Sequence, residues 1–165
     1  MEVNSFIQQI NEGVYDKGIF KAFFLAGGPG SGKTFVTTSA FAGTGLKVVN
    51  SDAFFERGLK KANLSLQMPD EEMYFRDIIR RRAKMSVLTQ LDQYVEGRLG
   101  MVIDGTGRDY DLIARHRNLL SNMGYDTYMI FVNTSLDVAL ERQARRERRI
   151  PQYIVKNSWE GVQSN

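Results

Sequence analysis

Gly27-Gly28-Pro29-Gly30-Ser31-Gly32-Lys33-Thr34 decides how this chain folds. The octapeptide fits G-x-x-x-x-G-K-[ST], a loop that grips phosphate through backbone N–H groups. Its glycines let those groups turn inward around an anion, and the N-terminus of a following helix adds partial positive charge. The motif carries meaning only between a strand and a helix, and both flanks are present. The apolar run from Phe20 to Ala26 reads as a buried strand, and a helical segment starts near Lys33. A chance glycine-rich turn before Lys-Thr would not need that context. Gly28, Pro29, Gly30, Ser31, Gly32, Lys33, Thr34 and Phe35 are therefore expected to contact ATP. Lys33 would reach the β- and γ-phosphates, and the Thr34 hydroxyl would ligate Mg²⁺.

Downstream, Thr34 to Ala42 is expected to be helical, Gly43-Thr44-Gly45 breaks it, and Leu46 to Asn50 reads as a second strand. Strand, helix and strand predict a parallel unit with a right-handed crossover. Ligands of such sheets lie beyond the carboxyl ends of the strands, where Asn50, Ser51 and Asp52 fall. Asp52 would face the loop across one crevice, placed to accept the proton of an acceptor hydroxyl. It could equally cap the helix starting at Ala53, and the two roles are compatible. Leu99 to Ile103 predicts a third strand, running into Asp104-Gly105-Thr106-Gly107-Arg108. An acid after an apolar strand suits a Mg²⁺ ligand, so Asp104 takes that expectation beside Thr34. Thr106 and Arg108 are expected to hold the acceptor or its phosphates.

Between these strands, Phe54, Phe55 and Leu59 suggest a short helix and Asn63 to Pro69 a loop. Asp70 is the expected N-cap of a long helix reaching Glu96, which Gly97 stops. Tyr74, Ile78, Met85, Leu88, Leu91 and Val95 would share its apolar face. Arg81 lies inside that stripe and is expected to point toward bound anion; Arg76, Arg80 and Arg82 lie outside it. A fourth helix over Tyr110 to Asn122 holds the one histidine, His116, read as a surface residue. Tyr125 to Val132 predicts the fourth strand, and Asn133, Thr134 and Ser135 offer caps for the next helix. That helix, Leu136 to Arg149, carries Arg142, Arg145, Arg146, Arg148 and Arg149. Five arginines in eight residues exceed what a solvated face requires, and 142–151 reads as a basic lid. Arg142, Arg146 and Arg149 share a face, and at least one is expected to act on the transferring phosphoryl group. A last helix runs from Gln152 to Val162, and an amphipathic one is expected over 4–16.

At 165 residues, 42% of them hydrophobic, the chain can bury the core of a single domain, 1–165. With no cysteine, disulfides and thiolate metal sites are excluded, and a cytoplasmic location is the expectation. A net charge of +3 does not by itself imply nucleic acid. No apolar run approaches the roughly 20 residues that span a bilayer, and no secretory signal is visible, so no membrane partner is expected.

GGPGSGKT, Asp52 in VNSDAFF, IDGTGR, the arginines of 142–149 and IVKN together resemble the zeta-toxin and polynucleotide-kinase-like branch of phosphate-loop kinases. The branch is AAA-type, ATP-binding, and phage or bacterial. The resemblance implies an α/β fold of three layers, with a parallel sheet of order 2-3-1-4-5. The chain stops at Asn165, where a fifth strand would begin, so the expectation is either a four-stranded sheet of order 2-3-1-4 or a truncated chain. It implies Asp52 as base, Thr106 and Arg108 as acceptor contacts, and catalytic lid arginines near Arg142 and Arg149. Arg142 and Arg146 would touch the nucleotide. Zeta toxins carry Glu where this chain has Asp104. The implied function is transfer of the γ-phosphoryl group of Mg-ATP to a hydroxyl of a nucleotide-sugar, nucleotide or nucleic acid, with an antitoxin as a further partner. The rival is an ATP- or GTP-driven switch or binding module without an acceptor. A switch should lack a base opposite the loop, where this chain has Asp52.

Lys33→Ala is expected to abolish productive nucleotide binding. Calorimetry with Mg-ATP checks this, and unchanged affinity and turnover would place the nucleotide site elsewhere.

Overall fold

The computed structural model describes residues 19–165. The helix expected over 4–16 lies outside the described residues. Four strands, β1 (Lys21–Ala26), β2 (Lys47–Val49), β3 (Met101–Asp104) and β4 (Asp126–Phe131), form one sheet of order β2-β3-β1-β4. Every ladder is parallel, as the strand–loop–helix reading requires. Six helices connect and flank the strands: α1 (Lys33–Ala40), α2 (Ser51–Lys61), α3 (Met73–Glu96), α4 (Tyr110–Asn122), α5 (Leu136–Ala144) and α6 (Gln152–Gln163). The result is the expected α/β fold of a phosphate-loop kinase. Among the described residues no helix is long and apolar enough to cross a membrane.

The central strands explain their own composition. β1 is paired on both sides, so Ala22, Phe24 and Leu25 are all buried and its sequence runs apolar without alternation. On one face, Ala22, Phe24, Val49 and Met101 pack with Leu91 of α3, Leu120 of α4 and Tyr125. A second cluster, Phe55, Leu59, Met68 and Ala83, joins α2 to α3. Each such Phe or Leu contributes about 1.5–3 kcal/mol by leaving water.

The buried stripe of α3 follows the sequence expectation at Leu91 and Val95 and departs from it toward the N-terminal part of the helix. Arg76, Ala83 and Leu91 are buried, while Tyr74 and Met85 are 71% and 64% exposed and Leu88 is also exposed. The cause is close approach to α2: a Cβ on Gly58 would meet Ile79 Cγ2 at 2.4 Å. That contact turns Ile79 and Ala83 inward and fixes the rotation. Arg76 enters the stripe because Nη1 donates to the carbonyls of Met68 at 2.7 Å and Pro69 at 3.2 Å. A buried guanidinium is tolerated only with such partners.

Two caps also differ from expectation. Asn50, not Asp52, caps α2: its Oδ1 accepts from the Asp52 N–H at 2.6 Å. Asp70 opens a single 3₁₀ turn, Asp70–Glu72, and Glu72 accepts from the Ser65 N–H at 2.9 Å. Ser135 caps α5 as expected, with Oγ accepting from the Val138 N–H at 3.4 Å. α5 itself stops at Ala144 rather than Arg149. The Arg149 N–H leaves the helical ladder and donates to the Leu66 carbonyl at 3.1 Å.

The two faces of α3 can be told apart by unfolding. Leu59→Ala, opposite its buried stripe, is expected to cost about 2–5 kcal/mol in urea melts, and Met85→Ala within about 0.5 kcal/mol. Equal losses would contradict the rotation described here.

Candidate functional site: the phosphate loop and its facing carboxylates

The loop stands between β1 and α1, and its glycines are required by close backbone packing. Gly30 has φ 84° and rests on α5, where a Cβ would lie 2.4 Å from the Ala139 carbonyl oxygen. Gly27 has φ 153°, and a Cβ there would lie 2.5 Å from the Val132 carbonyl oxygen. The Gly27 N–H donates to the Thr106 carbonyl at 2.9 Å, tying the loop to the turn after β3. Trp159 of α6 lies along Gly28, its Nε1 donating to the Thr134 carbonyl at 2.8 Å.

Lys33 folds back over the loop. Its Nζ donates to the carbonyls of Gly27 at 2.6 Å and Gly28 at 3.3 Å, and lies 4.0 Å from Asp104 Oδ1. Burial pulls the ammonium pKa below the ordinary lysine value; Asp104 and Asp52 oppose this, and Arg146 adds to it. Asp104 ends β3 with Oδ2 accepting from Asn50 Nδ2 at 2.7 Å. Burial pushes its carboxyl above the ordinary value, with Asp52 adding, while Lys33, Asn50 and Arg146 pull the other way. Ser31 is buried and its Oγ has no partner among the described residues. Thr34 and Phe35 are exposed at the start of α1.

Asp52 sits in the first turn of α2 between two guanidinium groups. Arg80 Nη1 donates to Oδ1 at 2.9 Å and Arg148 Nη2 donates to Oδ2 at 2.9 Å. Burial alone would raise this carboxyl, but Arg148 and Arg80 outweigh it and hold the pKa below the ordinary value. Asp104 and Asp52 both act on the Lys33 ammonium and Asp52 acts on the Asp104 carboxyl, so the three share one crevice, while the groups that shift Asp52 itself are Arg148 and Arg80.

The other expected residues scatter. Arg142 reaches the loop from α5, Nη1 donating to the carbonyls of Gly30 at 3.3 Å and Ser31 at 3.2 Å. Arg146 is exposed but near enough for its charge to act on Lys33 and Asp104. Arg149 lines a cavity of about 190 Å³ between α5 and α6 with Leu140, Gln143 and Val155. Arg81 is exposed, and its neighbour Arg80 is the one that reaches the crevice. Thr106 Oγ1 accepts from the Arg108 N–H at 3.4 Å, and the Arg108 stem packs against Gly161 of α6. Sequence reasoning missed Arg148, Arg80 and Asn50 as partners of the carboxylates. Only Asn50 carried a signal, being polar at the end of β2. His116 is half-buried between α3 and α4, and burial lowers its pKa.

A family model described as AAA domain matches residues 23–165. No curated protein matches the sequence. Solved structures share the fold at low identity. The AvrRxo1-ORF1:-ORF2 complex with ATP is 18% identical with TM-score 0.69, the match covering 93% of this chain and 51% of that chain. The Pnkp1/Rnl/Hen1 RNA repair complex is 16% identical with TM-score 0.65, covering 88% of this chain and 45% of that one. The PezAT toxin–antitoxin system of Streptococcus pneumoniae is 18% identical with TM-score 0.59, covering 87% and 62%. The chain thus spans about half the length of the first two structures.

Ionising Asp104 in this crevice costs stability, because its folded pKa is raised above the unfolded value of about 3.9. Asp104→Asn removes that cost. By calorimetry, the ligand-free variant is expected to melt above wild type at pH 7, with the gap narrowing as pH falls toward about 4. A variant that melts lower at every pH would mean that the pair with Lys33 dominates instead.

Proposed function

We propose that this chain, which belongs to the AAA-domain family and has a phosphate-loop kinase fold, is an ATP-dependent kinase acting on a hydroxyl acceptor. The observation that carries the proposal is Asp52: an ionised carboxylate opposite the phosphate loop, in electrostatic reach of Lys33. A switch would not need a carboxylate there.

The assigned roles follow from position. Backbone N–H groups of Gly28 and of Gly30 to Thr34 cradle the phosphates, and Lys33 exchanges its bonds to the Gly27 and Gly28 carbonyls for phosphate oxygens. Asp52 accepts a hydrogen bond from the acceptor hydroxyl and takes its proton as the new bond forms. Arg142 braces the loop and, with Arg146, supplies positive charge to the nucleotide; Arg149 completes the basic segment. Thr106 and Arg108 would contact the acceptor.

The residues present fit Mg²⁺. Asp104 and Thr34 offer hard oxygen donors, and among the described residues no cluster of three acidic or histidine side chains could cage an ion alone. That donor set suits an ion held mainly by water and nucleotide phosphates. Thr34 and Asp104 would hold Mg²⁺, which would supply positive charge against the negative charge that develops during transfer.

The acceptor belongs to the nucleotide-sugar, nucleotide or nucleic-acid class. The RNA repair structure supports a nucleic-acid acceptor, and the toxin–antitoxin structure supports an antitoxin as a protein partner. A cytoplasmic location accompanies the proposal.

With labelled ATP, transfer to a 5′-hydroxyl oligonucleotide or to a UDP-sugar tests the class. Asp52→Asn is expected to leave ATP affinity nearly intact and to lower kcat by about 10²- to 10⁴-fold. Full turnover in that variant would remove Asp52 from the chemistry.

A further inference from the structure

Arg148 has no role in the kinase reading above, yet its side chain is only 7% exposed beside the reacting carboxylate. Nη2 donates to Asp52 Oδ2 at 2.9 Å and Nε donates to Glu56 Oε1 at 2.8 Å. Asp52 and Glu56 stand one turn apart on α2, so one guanidinium spans both. Arg80 approaches from α3 and takes the other oxygen of Asp52. Both guanidinium groups lie over the buried Phe55 ring, at 5.8 Å for Arg148 and 4.5 Å for Arg80. Burying a guanidinium is unfavourable unless its partners are well placed, and here the partners are the two carboxylates of α2.

We propose that Arg148 is a positioning residue for Asp52, fixing its carboxylate, together with Arg80, in the one orientation that serves the acceptor hydroxyl. The inference rests on Asp52 acting as the base. Each carboxylate oxygen has two lone pairs and gives one to a guanidinium. The Asp52 side chain is 42% exposed, so the remaining lone pairs open toward the crevice. A carboxylate held this way is a weak base, so it first orients the hydroxyl by accepting its hydrogen bond and takes the proton only as the new bond forms. That suits phosphoryl transfer, whose loose transition state asks little of a base before the new bond forms. The charged groups around Asp52 are Arg80 of α3, Arg148 of the segment after α5, Glu56 of its own helix, Lys33 of α1 and Asp104 of β3, and of these Arg148 and Arg80 pull its carboxyl down.

The test uses the full chain with ¹³C-labelled aspartate, Asp52 being assigned with Asp52→Asn. Arg148→Met is expected to move the Asp52 titration to higher pH, and Arg148→Lys to move it less. Glu56→Gln should move it lower, because a neighbouring negative charge is lost and Arg148 turns wholly to Asp52. Couplings to the Asp52 β-protons should show one rotamer in the wild type and averaging in Arg148→Met. With the oligonucleotide and UDP-sugar probes, Arg148→Met should lower kcat by about 10- to 100-fold at unchanged KM for ATP, with partial rescue by Arg148→Lys. Arg80→Met, at a half-exposed position, gives the same readouts if Arg148→Met folds poorly. An unmoved titration, an unaveraged rotamer, or unchanged kcat would each overturn the proposal. Loss of kcat in Asp52→Asn but not in Arg148→Met sinks this inference alone; full kcat in Asp52→Asn sinks the reading of the base beneath it.

Discussion

The site depends first on strand register. Leu25 of β1 pairs with Asp104 of β3, and Val49 of β2 pairs with Ile103. Three parallel strands therefore end together, and whatever follows them meets on one edge. After β1 comes the loop, after β2 come Asn50 and Asp52, and β3 itself ends in Asp104. A slip by one residue of β3 against β1 would turn Asp104 to the opposite face of the sheet and separate it from Lys33 and Asn50. The apolar packing of Ala22, Phe24, Val49 and Met101 against α3 and α4 holds that register. Hydrophobic burial far from the crevice thus sets distances inside it.

Charge then distributes according to what each group can pair with. Burial disfavours ionisation of Lys33, Asp52 and Asp104 alike. For Asp52, two guanidinium groups at 2.9 Å reverse the effect. Asp104 has only an amide and an ammonium at 4.0 Å, and its carboxyl stays raised. Two aspartates in one crevice are so pushed in opposite directions by their partners. The raised one has the greater electrostatic demand for a cation, and the lowered one is already ionised.

The four strands, the helix over Tyr110 to Asn122, the loop and the carboxylates after β2 and β3 were legible in the sequence, since each depends on local pattern, whereas the sheet order was implied by the family resemblance. Turn chemistry and strand–helix alternation act over few residues and override little else. The rotation of α3 was not legible, because it is fixed by Gly58 meeting Ile79 across two helices. Hydrophobic periodicity could not separate Arg80 from Arg81 once Arg76 entered the buried stripe through carbonyls in a loop. The arginine run was recognisable as unusual, but helical spacing was the wrong ruler for it. The chain leaves the helix after Ala144, so Arg146, Arg148 and Arg149 are sorted by tertiary contacts rather than by periodicity.

Those contacts explain why the run is not merely a solvated face. After α5, the Arg149 N–H is held by Leu66, and the Glu147 carbonyl accepts from Gln67 Nε2 at 2.9 Å. Between them Arg148 enters the crevice and meets Asp52 and Glu56. One turn earlier, Arg142 and Ala139 lie against the phosphate loop. A single stretch from Ala139 to Arg149 therefore touches the phosphate loop at one end and the carboxylate of Asp52 at the other. Its backbone is pinned to the loop that holds Leu66 and Gln67, so tertiary hydrogen bonds, not helical periodicity, decide which of its arginines face the crevice.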